Sequence, residues 1–235
     1  MKWLLLFVLS LSPLMAERKI EVFVCLCDNE HQAIAKVGEK IGNGMEPSSN
    51  LYWGCSDGMS NYFKRSKKWK LTSTKKQTEG PILITLNFKH HTGKASLIAH
   101  AYRGDKMKIC LEAYFQKARN AGKGELVAFI GHNGMMDNVV TIPAAAKPDD
   151  ITSETIVLGC LTESYFTKPL KELNSKPLLM TKSLMYPGSF LLHEALEVWL
   201  RDGTKKEIRE AAAKAYAKNQ NISVRGARTV FSELK

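Results

Sequence analysis

Two short apolar runs, each stopping at a reactive side chain, place the strongest constraint on the fold of this chain. One run, residues 126–130, leads through a glycine to His132, and the other, residues 156–158, leads through a glycine to Cys160. Short continuous apolar runs bounded by turn residues are typical of buried strands in a parallel sheet. The carboxyl ends of such strands meet at the edge where open α/β sheets bind ligands. The sequence therefore predicts that His132 and Cys160 lie side by side at that edge.

The rest of the chain alternates between strand and helix patterns, which predicts an α/β domain with a mostly parallel sheet flanked by helices. The predicted strands are 19–27, 81–88, 97–102, 126–130, 156–160 and 178–181. The predicted helices are one beginning after an Asn50 cap, one over 105–120, one over 189–200, and one from a capping box at Thr204 and Glu207 to about residue 218. Residues 38–50 and 64–80 are predicted to be loops. We find no repeat and no second domain, so residues 17–235 are predicted to form a single domain.

The first sixteen residues have the layout of a secretory signal peptide. A short basic start is followed by an apolar run over 4–11 and then by residues leading to Ala16, a small residue suited to cleavage. The run is shorter than the roughly 20 residues that a membrane-spanning helix needs, although a retained membrane anchor is the alternative. This pattern predicts a periplasmic or secreted protein whose mature chain has no transmembrane helix.

The formal net charge of +11 predicts attraction to anionic partners, such as a component of the cell envelope. The densest basic segment runs over 64–70 and continues at Lys75 and Lys76. A solvated loop is the simpler interpretation of such a segment. No nucleic-acid-binding module is recognised, and nothing in the sequence calls for a cofactor.

Five cysteines follow the predicted signal peptide, and an odd number leaves at least one thiol outside intramolecular disulfides. If Cys160 is that thiol, the other four are either buried apolar side chains or disulfide partners. Cys25 and Cys27 lie two residues apart on the first predicted strand, so we expect both to face the same side of the sheet.

His132 and Cys160 have the chemistry of a nucleophilic dyad. A thiol at a strand end can be activated by nearby backbone amides, and an imidazole titrates near neutral pH. Each residue alone has a simpler interpretation, as an inert cysteine or as a loop histidine. Their occurrence at the ends of two successive strands favours the dyad.

An apolar strand ending in His, followed by an apolar strand ending in a small residue and Cys, resembles the caspase-like cysteine peptidases, the clan of caspases, legumains, gingipains and clostripain. The match is specific over 124–164 and looser over 19–200. The resemblance implies a caspase-like three-layer sandwich and hydrolysis of a peptide or protein substrate. It also implies an oxyanion hole made by the backbone amides of Gly134 and Cys160. The clan usually has Gly directly after His, whereas here Asn133 intervenes. The chain also resembles a set of exported bacterial proteins that share segments 27–29 and 50–54.

Four polar residues could support the dyad or line its cleft. Asp28 and Asn29 follow the first predicted strand, although both are common turn formers. Asn133 and Asp137 follow His132, and Asp137 could steady that imidazole or lie in a surface loop. His193, inside the helix predicted over 189–200, is interpreted as a boundary residue. No histidine or cysteine spacing predicts a metal site.

The function predicted from these observations is that of an exported cysteine peptidase. Two alternatives remain open at this point. The first is a catalytically inactive caspase-like module that binds the cell envelope through its basic surface. The second is a thiol amidase that acts on peptidoglycan.

Overall fold

A computed structural model of the chain describes residues 17–144 and 153–234. The predicted signal peptide lies outside the described residues. Seven strands are present in the described part: β1 (Arg18–Cys25), β2 (Trp69–Lys76), β3 (Ile82–His90), β4 (Ala95–Tyr102), β5 (Glu125–Ile130), β6 (Glu154–Leu158) and β7 (Lys176–Leu179). They form one sheet in the order β2-β3-β4-β1-β5-β6-β7. Strands β4, β1, β5, β6 and β7 pair in parallel, while β2, β3 and β4 pair antiparallel.

Helices cover both faces of the sheet. The α-helices of the described residues are α1 (Met59–Arg65), α2 (Met107–Asn120), α3 (Thr162–Glu172), α4 (Ser189–Trp199), α5 (Lys205–Gln220) and α6 (Val224–Arg228). One apolar cluster joins the sheet to α1, α4, α5 and α6, and a second joins it to α2 and α3. The predicted α/β architecture is confirmed as a three-layer sandwich with a mostly parallel sheet.

Successive side chains of the central strands pack alternately into the first and the second apolar cluster. In β5, Leu126, Ala128 and Ile130 pack in the first cluster, whereas Val127 and Phe129 pack in the second. Both faces of the strand are therefore apolar, which explains why its sequence is a continuous apolar run. Because β1 lies between β4 and β5, the strand order reverses beside β1, and this reversal marks the ligand-binding crevice of open α/β sheets.

Several predicted elements are present with small shifts at their ends. The helix predicted over 105–120 is α2, preceded by a 3₁₀ turn at Gly104–Lys106. The capping box of α5 is confirmed: the Glu207 amide donates to Thr204 Oγ1, and Glu207 Oε2 accepts from the Thr204 amide. Within residues 17–144 and 153–234, none of the helices combines the length and the apolar composition that a membrane span requires.

Other predictions were wrong. Residues 64–80 contain β2, whose side chains beyond Trp69 and Leu71 are mostly polar and exposed. The helix expected after Asn50 begins only at Met59, because the Asn50 side chain is bonded to the backbone of Cys27 and the chain there forms consecutive turns. Helices α3 and α6 were not predicted.

Cys25 and Cys27 face opposite clusters, contrary to expectation, since the strand ends at Cys25 and the alternation stops there. All five cysteines, each within the described residues, are free thiols.

Candidate active site

The ends of β5 and β6 bring His132 and Cys160 to the same level of the sheet. The last pair of the ladder is Ile130 and Leu158, and each reactive residue follows its strand by two positions. The Gly131 amide extends the contact by donating to the Leu158 carbonyl oxygen at 3.0 Å. Because parallel neighbours lie about 4.8 Å apart, this register places the two reactive residues next to each other.

The glycine before each reactive residue is required by close backbone contact. A Cβ on Gly159 would lie 2.7 Å from the Gly131 carbonyl oxygen, so a side chain there would force the two strand ends apart. Gly131 has a φ of 146°, which side chains of L residues rarely adopt, and Tyr52 packs against its free side. The strand ends are therefore closely packed before the reactive residues begin.

His132 is buried, and its Nε2 contacts a carboxylate oxygen of Asp137. Asp137 follows a 3₁₀ turn over Gly134–Met136, and the same oxygen accepts from the Ala33 amide at 3.3 Å. This contact fixes the imidazole and leaves Nδ1 as the nitrogen available for proton exchange.

The Cys160 thiol is partly exposed and lies against the backbone of Met185. Its sulfur accepts from the Met185 amide at 3.4 Å and lies 3.6 Å from the Met185 carbonyl oxygen. Within the described residues, the imidazole of His132 and this thiol are not hydrogen-bonded to each other. Catalytic hydrogen bonds are often long or absent in unliganded sites, so the missing bond does not rule out a dyad.

Asn133 connects the two strand ends. Its side-chain nitrogen donates to the Cys160 carbonyl oxygen at 2.8 Å, and its oxygen accepts from the Met135 amide at 3.2 Å. The residue is fully buried, so both ends of its amide are satisfied inside the protein. The residue that departs from the caspase-like pattern is thus a structural tie between β5 and β6.

The two backbone amides predicted to form the oxyanion hole differ in whether they already donate a hydrogen bond. The Gly134 amide donates to the His132 carbonyl oxygen at 2.9 Å and is therefore occupied. The Cys160 amide has no acceptor among residues 17–144 and 153–234. Leu161, directly after it, has a left-handed backbone with φ 55° and ψ 31°. Such strained non-glycine residues cluster at functional sites.

Asp28 and Asn29 organise a loop and do not contact the dyad. Asp28 accepts from the amides of Glu30 and His31 and pairs with the His31 ring at 3.0 Å. The Asn29 side chain exchanges two hydrogen bonds with the backbone of Val37. The turn-forming interpretation explains both residues.

The sequence did not reveal two neighbours of the dyad. Met185 contacts Cys160 through backbone atoms, and Thr181 occupies the first amides of α3 by accepting from Thr162 and Glu163. Backbone contacts of this kind leave no signature in residue type. Among the described residues, no group of three or more His, Cys, Asp or Glu side chains is arranged to hold a metal ion.

Comparison of the chain with models of known protein families, with curated proteins and with solved structures found no match.

Proposed function

We propose that this protein is an exported thiol hydrolase, a cysteine peptidase in which Cys160 is the nucleophile and His132 the proton carrier. The observation that carries the proposal is the shared level of the two residues, two positions beyond the last paired residues of adjacent parallel strands. The contact of His132 with Asp137 adds the third group that orients the base of such a dyad.

The proposed reaction begins with transfer of the thiol proton from Cys160 to Nδ1 of His132. The thiolate sulfur attacks the carbonyl carbon of the substrate, and the Cys160 amide donates to the oxyanion. The carbon–nitrogen bond breaks as His132 returns the proton to the leaving amine. Water then hydrolyses the thioester and restores the thiol.

The test is cleavage of a peptide library by the purified protein and by Cys160→Ala, His132→Ala and Cys55→Ala. Cys55, another partly exposed thiol, is the matched control. We expect cleavage to be lost in the first two variants and retained in the third. Failure of the native protein to cut peptides or peptidoglycan amides, with Cys160 resistant to alkylation, would contradict the proposal.

A binding module without catalysis is the second candidate, and the occupied Gly134 amide favours it. The surface available for binding is the basic segment 64–76, which contains seven cationic side chains and no carboxylate. Retention of the protein on anionic vesicles or polymers, unchanged in Cys160→Ala, would support this candidate.

A further inference from the structure

A second nucleophile–imidazole–carboxylate arrangement lies between α1 and α4. Ser66, which ends α1, has its hydroxyl oxygen 2.8 Å from Nε2 of His193. On the other side of the ring, Nδ1 lies 2.8 Å from Oε1 of Glu194. The three side chains form a continuous hydrogen-bonded relay, in which Ser66 lies 127 positions before His193 in the chain and Glu194 directly follows His193.

The environment of His193 fixes both the orientation and the tautomer of its ring. The ring is buried and makes edge contacts with Tyr62 and Phe63, each with centroids 5.5 Å apart. With Glu194 accepting from Nδ1–H, Nε2 is left with the lone pair that can accept the Ser66 proton. The hydrogen bond from His193 also lowers the pKa of the Glu194 carboxyl, which keeps that group ionised.

The relay opens into a surface cavity of about 350 Å³. The cavity is lined by Tyr62, Arg65, Ser66, Lys67, Lys68 and His193. Lys68 is paired with Glu197 at 2.9 Å, while Arg65 and Lys67 have no carboxylate within 4 Å among the described residues. Two uncompensated cations at the mouth of the cavity favour a negatively charged ligand.

We propose that Ser66, His193 and Glu194 form a second hydrolytic site, which acts on carboxylic esters whose acyl group carries a negative charge. The Ser66 oxygen bonds to the ester carbon while its proton moves to Nε2 of His193. The bond to the alcohol oxygen then breaks, and the alcohol leaves with that proton. Water hydrolyses the acyl-serine by the same route in reverse.

The Lys67 amide is the proposed oxyanion donor. It follows the nucleophile directly, the position that supplies this donor in many serine hydrolases. It has no acceptor within the described residues. The Ser66 oxygen itself accepts from the Lys68 amide at 3.0 Å, which holds the hydroxyl in place.

The test is labelling of the purified protein with a fluorophosphonate, which transfers its phosphorus to an activated serine oxygen and releases fluoride. We expect the label on Ser66, no label in Ser66→Ala, and labelling about 10²-fold slower in Glu194→Gln, whose side chain is 40% exposed and tolerates replacement. Ser73→Ala is the matched control, because Ser73 is an exposed serine on the adjacent strand β2.

The proposal is overturned if the folded protein is not labelled, if the label lies on another residue, or if Glu194→Gln labels at the native rate. Cys160→Ala must label normally, which separates this site from the proposed peptidase. The ligand class is tested by comparing hydrolysis of a succinyl and an acetyl aryl ester. We expect a preference for the succinyl ester that falls several-fold in Lys67→Gln, and an unchanged preference would overturn the assigned charge.

Discussion

The two sites, one around His132 and one around His193, each hold an imidazole in contact with a carboxylate, but only His193 also contacts a nucleophilic side chain. The first lies at the carboxyl edge of the sheet, where the thiol of Cys160 contacts backbone atoms of Met185. In the second, the serine hydroxyl, the imidazole and the carboxylate are already joined by two hydrogen bonds of 2.8 Å.

The difference shows what sequence patterns can reveal about a site. Strand ends create a recognisable motif because the sheet register itself brings the residues together. The relay at His193 depends on the packing of α4 against α1, so no spacing of residues within a short segment of the sequence predicts it. A sequence motif and a completed hydrogen-bond relay therefore indicate candidate catalytic sites independently of each other.

Replacing either nucleophile by alanine should have the largest effect on the two reactions. Cys160→Ala should lower peptide cleavage at least about 10³-fold and leave fluorophosphonate labelling unchanged, whereas Ser66→Ala should do the reverse. Both reactions should be measured on both variants, with circular dichroism as the control for folding. If one folded variant loses both reactions, the His132 site and the His193 site do not act separately.

Asp137→Asn should lower peptide cleavage about 10²-fold, because an amide cannot stabilise the imidazolium that forms on His132. The value of kcat/KM for peptide substrates measures the effect. Labelling of Ser66 provides the internal control. Equal peptide activity in Asp137→Asn would mean that this carboxylate only anchors the Ala33 loop.

The buried thiol of Cys27 should react slowly with alkylating reagents. Burial raises the pKa of Cys27 to about 11, so its thiolate is scarce at pH 8. We expect iodoacetamide to modify Cys27 about 10²-fold more slowly in the folded protein than in urea, with the rate rising as the pH approaches 11. Mass spectrometry of the alkylated peptides measures this ratio, and rapid labelling of folded Cys27 would contradict it.

Gly159→Ala should destabilise the protein by about 2 kcal/mol, because the new methyl group meets the Gly131 carbonyl oxygen. The free energy of unfolding in urea measures the change. Gly122→Ala is the control, since its Cβ would meet no atom within 4 Å. A loss of peptide cleavage without loss of Ser66 labelling would locate the damage at the β5–β6 strand ends.

Thr204→Ala should have the smallest effect, a loss of about 1 kcal/mol in the free energy of unfolding. This substitution removes the cap of α5 and touches neither the His132 site nor the His193 site. Thr74→Ala, on the exposed strand β2, is the matched control and should change stability by less than about 0.5 kcal/mol. Both reactions should survive the capping variant, and the loss of either would mean that global stability, and not chemistry, controls the assays.

The central strands and the buried face of α2 could be predicted because their apolar patterns match the two faces of one sheet. Strand β2 could not, because only Trp69 and Leu71 face the core and the exposed residues around them are typical of a loop. Helix α3 was missed because it buries only Thr162, Phe166 and Leu170 and contains an internal proline.

The same limits apply to the candidate site. The proximity of His132 to Cys160 follows from strand register, which the sequence could anticipate. The contact with Met185 and the tie through Asn133 depend on loop conformation, which residue type does not encode. Asp28 and Asn29 show the converse, since residues at a strand end can serve only the turn that follows.

Strand β2 has a consequence for how this protein behaves in solution. In the described sheet it pairs with β3 alone, so its other edge presents backbone groups that a second polypeptide could pair with. Lys70, Lys75 and Lys76 are exposed along this edge, and bringing two such edges together would oppose like charges. The basic residues of β2 would therefore oppose edge-to-edge pairing between two copies of the sheet.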